Sequence, residues 1–301
     1  MHRCSGHSGI DNPVAMLAGP GSEARWRQRH SLISVDLAVS RPNGSELDLT
    51  ESLESTVAIV TGASSGIGHA AAKRLACEGA TVVAVARRQD RLDALIAEIE
   101  SANGRAFAIE ADLTDRAQCT EVVRRASTQF GRIDTLVNAA GVMLNGPSIS
   151  SPAEEWERMI DINLRGLFNL TKVALPHLVE SARSSSREVA DVVNISSIAG
   201  RVAITEGAVY NATKFGVTAA TEAWRQEFTQ KNVRFSVIEP GTVDTELLGH
   251  QQTSTQQRYE LMFAGIEKLH TDDIAAAVAY IVTSPRRVAI NEIVIRPTDQ
   301  R

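Results

Sequence analysis

The chain has 301 residues, 43% of them hydrophobic, and a formal net charge of −5 at pH 7. That length allows a core needing no disulfide or metal staple, and the mild acidity argues against nucleic acid as the main partner. No apolar stretch approaches the ~18–20 residues of a membrane helix, and Cys4, Cys77 and Cys119 sit at neither pairing nor metal-ligand spacing, which predicts a reducing, cytoplasmic setting and no metal.

Residues 1–54 are rich in Gly, Ser, Arg and His without a sustained period, which predicts a disordered extension or a start codon set too far upstream. A transit peptide is the sharper alternative, because Arg3, Arg25, Arg27 and Arg29 outnumber Asp11 and Glu23. From Thr56 the pattern alternates. Short β-branched apolar runs at 56–60, 81–86, 105–110, 133–138, 189–196, 233–239 and 291–295 predict strands buried on both faces. Helix-period segments lie between them at 66–78, 89–102, 115–130, 152–182, 209–231 and 271–283. This alternation predicts a single doubly wound α/β domain over 55–301, with a seven-stranded parallel sheet and helices on both faces. Residues 182–188 read as a polar linker, and 246–268 as an insertion of the kind that forms lids or substrate-binding loops. Ligands of such sheets bind beyond the carboxyl ends of the strands.

The first strand runs into TGASSGIG, Thr61 to Gly68. A glycine turn between strand and helix cradles phosphate: Gly62 permits the turn, Gly66 and Gly68 allow close approach, and the helix N-terminus offers free N–H groups. With its Gly-x-x-x-Gly-x-Gly spacing, this stretch resembles the fingerprint of the short-chain dehydrogenase/reductase family, a Rossmann fold. Further motifs extend the resemblance over residues 55–296. NAAG (138–141) follows the fourth strand, with Ala139 where the family usually has Asn; DINLRG (161–166), NISSIAG (194–200), Tyr-x-x-x-Lys in AVYNATKFG (208–216) and EPGTVDT (239–245) complete the set. The resemblance implies that a nicotinamide cofactor lies against Gly62, Ser64, Ser65, Gly66, Ile67 and Gly68. Asn138, Ala139 and Gly141 would hold its middle, and Pro240, Gly241, Val243 and Thr245 its far end. Asp112 and Leu113 would line the adenine pocket.

A carboxylate at the end of the second strand accepts from ribose hydroxyls and favours NAD. Ala86 stands there instead, followed by Arg87 and Arg88. Arginine binds phosphate through charge-assisted hydrogen bonds, so NADP(H) is the expected cofactor, with Arg87 the main contact and Arg88 supporting. Two solvated arginines opening a surface helix are the alternative, weakened because basic residues oppose the dipole at a helix N-terminus.

Carbonyl reduction needs a proton donor, and free tyrosine, with a pKa of about 10, is a poor one near neutrality. Lys214, one helical turn after Tyr210, supplies a cation that should stabilise the phenolate and lower that value. The resemblance assigns Lys214 a second bond to the nicotinamide ribose. It makes Ser197, thirteen residues before Tyr210, the group that holds the substrate oxygen, and Asn163 the holder of a relay water. Ser196 reads as structural. No Gly-x-Ser-x-Gly elbow supports a serine hydrolase. His250 is a candidate substrate contact, and Arg201 either a rim arginine or a partner for a substrate carboxylate.

The insertion and the ending RPTDQR resemble NADP-dependent 3-hydroxy acid or serine dehydrogenases and clavulanate (clavaldehyde) dehydrogenase-like reductases. That implies a small-molecule carbonyl or alcohol substrate and a homotetramer (or homodimer) whose tail reaches a neighbouring subunit. A catalytically idle NADP-sensing protein, or an epimerase or dehydratase on the same fold, are the alternatives.

Overall fold

The computed structural model describes residues 52–300. The expectations for residues 1–54 therefore lie outside the described residues, save for 52–54. Of these, Leu53 is buried and its N–H donates to the Glu78 carbonyl at 3.0 Å.

Seven strands form one sheet: β1 (Val57–Thr61), β2 (Thr81–Ala86), β3 (Arg105–Glu110), β4 (Thr135–Asn138), β5 (Ala190–Ile195), β6 (Val233–Pro240) and β7 (Glu292–Ile295). All pair in parallel, in the order β3-β2-β1-β4-β5-β6-β7. Every residue of β1, β4, β5 and β6 is buried, which is why these segments read as largely apolar runs. Helices α1 (Gly66–Cys77), α2 (Gln89–Ser101) and α8 (Thr271–Thr283) cover one face through Leu75, Leu92, Leu95 and Val278. Helices α3 (Arg116–Phe130), α5 (Leu167–Ser184) and α6 (Ala208–Phe228) cover the other through Val122, Leu170, Leu178 and Phe228. The chain winds outward from β1 in both directions, so the switch point lies between the carboxyl ends of β1 and β4.

Caps set the ends of two helices. Asp115 stays outside α3 because its carboxylate accepts the Ala117 N–H at 2.8 Å, and Gly131 closes the helix at φ 75. A capping box of His270 and Asp273 starts α8. The single helix expected over 152–182 is three pieces: α4 (Ala153–Ile160), a π-helical turn (Asp161–Gly166) and α5. The wide turn falls where Asn163 clamps the chain after β4 and where Gly166 packs close to the Leu113 carbonyl. Because α5 runs to Ser184, the polar linker after it is shorter than expected. The insertion holds a 3₁₀ turn (Glu246–His250) and α7 (Thr253–Met262). Among the described residues no helix is long and apolar enough to cross a membrane.

Candidate active site

A cavity of about 960 Å³ opens at the switch point. Its floor is the turn after β1. Thr61 Oγ1 accepts the N–H groups of Ala139 and Ala140 at 3.0 and 3.1 Å, tying that turn to the loop after β4. Gly62 has φ +66, and a Cβ there would lie 2.9 Å from the Ala139 carbonyl oxygen, so only glycine lets these two turns touch. Ser65 precedes α1 without capping it, and no acidic residue follows in the first turn. The free N–H groups and the positive end of the helix dipole therefore face the cavity. This cradle fits a pyrophosphate. Ser64, Ile67, Asp112, Leu113, Ala139, Gly141, Val243 and Thr245 also line the cavity, as do Pro240 and Gly241 at the end of β6. Asn138 does not. Its buried amide donates to Thr171 Oγ1 and Asn194 Oδ1 at 3.1 and 2.8 Å, bracing β4 against its neighbours.

Arg88, at the N-cap of α2, is the arginine that reaches the glycine turn. Its Nη2 donates to Ser64 Oγ at 3.0 Å and Ser65 Oγ at 2.8 Å. Arg87, expected to be the main contact, lines the same cavity, and both arginines are exposed.

Ser197 follows β5 and caps a 3₁₀ turn (Ile198–Gly200), accepting the Ala199 N–H at 3.1 Å. Tyr210 and Lys214 stand one turn apart on α6, both buried, and both line the cavity with Ser197. Lys214 Nζ donates to the Ile195 carbonyl at 3.0 Å and lies 5.8 Å from the Tyr210 ring centroid. Burial pushes the Tyr210 phenol up to about 12 and pushes the Lys214 ammonium down to about 8. The expectation that Lys214 lowers Tyr210 is thus reversed in the protein alone, because desolvation opposes both charged forms.

Asn163 holds structure rather than a free group. Its Oδ1 accepts the Val142 N–H at 2.8 Å, and its Nδ2 donates to Val142 O at 2.9 Å and Thr213 Oγ1 at 3.1 Å. A Cβ at Gly141 would lie 3.3 Å from Asn163 Oδ1 and 3.7 Å from Lys214 Nζ, so the missing side chain makes room for both. Ser196 donates to the Lys214 carbonyl at 3.0 Å, a structural bond. Arg201 pairs with the buried Glu239 and with Glu292.

The substrate side is largely apolar, with Met143, Ile162, Ile204, Leu247 and Leu248 in its walls. His250 is there, its pKa lowered by burial and by Arg158. So is Tyr259 of α7, which motif reasoning missed. Its hydroxyl accepts from Asn145 Nδ2 at 2.7 Å and its ring stacks on Phe263, with centroids 5.7 Å apart. Its only sequence signal was the insertion itself. The tail turns back onto its own chain: Gln300 Oε1 accepts the Thr242 N–H at 2.9 Å, and Arg296, Asp299 and Gln300 line the cavity.

The family model described as short chain dehydrogenase matches residues 56–256. A glycine betaine reductase of Emericella nidulans is 36% identical over 248 residues, which are 82% of this chain but only 19% of that protein. An uncharacterized oxidoreductase of Listeria innocua is 35% identical over 253 residues, 82% of this chain and 98% of the relative. Among solved structures, the closed form of a serine dehydrogenase complexed with NADP+ matches with a TM-score of 0.74 at 31% identity, over 82% of this chain and 96% of that one.

Proposed function

The chain belongs to the short-chain dehydrogenase family and is an oxidoreductase of it, and from that premise we propose that it interconverts an alcohol and a carbonyl with NADP(H), Tyr210 acting as general acid and base. The observation that carries this reading is the juxtaposition of Tyr210, buried on the same cavity wall as Ser197, with Lys214 one turn away, over a phosphate cradle. When bound, the nicotinamide supplies or accepts the hydride, and its oxidised form brings positive charge to the site. Ser197 holds the substrate oxygen and Tyr210 transfers the proton. Lys214 remains within reach of Tyr210 and, at about 8, gains and loses its own proton near neutral pH. Asn163 positions the loop beneath it and supports the proton relay from Lys214 to solvent. Arg88 on Ser64 and Ser65, with Ala86 where a carboxylate would favour NAD, supports NADP(H).

The likeness to a serine dehydrogenase and the RPTDQ ending support a small carbonyl or 3-hydroxy acid substrate. Exposed Phe168 on α5 and Phe215 on α6 support a homotetramer built on those helices, and the free thiols of Cys77 and Cys119 suit a cytoplasmic setting. The test is incubation with NADPH or NADH and a panel of aldehydes, ketones and β-keto acids. Oxidation of NADPH with at least one substrate class is expected. NADPH binding with no turnover across the panel would replace this reading with that of a cofactor sensor.

A further inference from the structure

We propose that Glu246 is an internal anion that competes with the adenosine 2′-phosphate of the cofactor for Arg88, so that the start of the lid answers to which nicotinamide cofactor binds. The inference rests on the NADP(H) reading above and concerns a residue that reading does not use.

Glu246 opens the 3₁₀ turn at the start of the insertion. Its Oε2 accepts from Arg88 Nη1 at 3.3 Å, and its Oε1 lies 4.0 Å from Arg91, one turn along α2. The guanidinium beside it holds Glu246 below the usual carboxylate range. A carboxylate held by a guanidinium that also bonds Ser64 and Ser65 at the N-terminus of α1 stands in the setting that binds a phosphate oxygen. Arg88 already spends Nη2 on Ser64 and Ser65, so Nη1 is the donor the two anions must share. Among the described residues Arg88 and Arg91 are the ionic contacts of Glu246, and both belong to the start of α2.

The same carboxylate is wired to the substrate side. The feet of the insertion are clamped together, with the Asp244 N–H on the Leu269 carbonyl at 2.8 Å and a bridge from Val243 to Leu269. Between those feet the chain runs from Glu246 into α7, which carries Tyr259 into the cavity. An anion arriving on Arg88 frees Glu246, and the segment it begins is the one that shapes the substrate side. A cofactor without the 2′-phosphate leaves the pair intact.

The test compares the full chain with Glu246→Gln by calorimetric titration of 2′,5′-ADP and 5′-AMP, which probe the adenosine end without any reaction. The pair is half exposed, so removing the carboxylate should tighten 2′,5′-ADP by about two- to five-fold and leave 5′-AMP unchanged. Glu155→Gln, which loses a carboxylate beside Gln252 elsewhere on the lid, should change neither. Tryptic cleavage at Arg258, exposed on α7, should be faster in Glu246→Gln, and 2′,5′-ADP should accelerate it in the wild type only. Equal 2′,5′-ADP affinity in wild type and Glu246→Gln, or equal tightening of 5′-AMP, would overturn the competition. Unchanged cleavage would overturn the coupling to the lid. If the wild type does not prefer 2′,5′-ADP to 5′-AMP, the NADP(H) reading itself fails, a result separable from the other two.

Discussion

Replacing Lys214 with methionine should stabilise the protein while abolishing its activity. Burial lowers the Lys214 ammonium from its ordinary 10.5 to about 8. Because the folded value lies below the unfolded one, holding the proton in the folded state costs stability, fully below pH 8 and progressively less as pH rises from about 8 to 10.5. That fall corresponds to about 3 kcal/mol at pH 7. The variant also loses the 3.0 Å bond to the Ile195 carbonyl, worth about 1 kcal/mol, and methionine fills the stem's volume with little strain. The net expectation is a gain of about 2 kcal/mol, or about 4–8 °C in Tm for a domain of this size. Thermal melts of wild type and Lys214→Met at pH 7 and pH 9 measure it. The variant should melt higher at pH 7, and the gap should shrink at pH 9, where Tyr210, raised to about 12, stays neutral. An equal or lower Tm for Lys214→Met at pH 7, or a gap that widens with pH, would refute the burial argument.

Tyr210→Phe should reduce turnover below detection while NADPH binding, followed by fluorescence, changes less than about three-fold, since the ring stays and only the proton carrier goes; an active variant removes Tyr210 from the mechanism. Arg88→Asp should move the ratio of kcat/KM for NADPH over NADH downward by at least about ten-fold, and Arg87→Asp by less, because Arg88 alone bonds Ser64 and Ser65. The opposite order would restore Arg87 as the main contact. Asn163→Ala leaves the buried Val142 amide and carbonyl without partners, so it should cost about 2–4 kcal/mol in denaturant unfolding and lower activity with it. Loss of activity at full stability would instead point to a direct part in proton relay.

Much of the fold could be read along the chain. Strands with every residue buried leave a β-branched apolar run, and the capping box of His270 and Asp273 marks the start of α8 at the residue expected. The glycine turn was legible too, because Gly62 and Gly68 answer to backbone contacts that a Cβ would violate. So was the trio of Ser197, Tyr210 and Lys214, as a pattern of spacing. The misses share one cause. The guanidinium of Arg88 meets serines 24 and 23 residues away and a glutamate 158 residues away, partners that no local pattern shows. Arg201 is occupied by Glu239 and Glu292, on two neighbouring strands. The helix over 152–182 widens into a π turn around Asn163, whose partner Val142 is 21 residues earlier. Tyr259 enters the cavity on a segment whose own pattern carries little amphipathic signal. Local order, helix ends and the identity of the reacting groups follow from neighbours in the chain, and the sequence alone determines them. How far Tyr210 and Lys214 are driven from their ordinary pKa values, and which arginine stays open to an anion, depend on burial and on charges brought together from distant strands, and only the tertiary structure decides those.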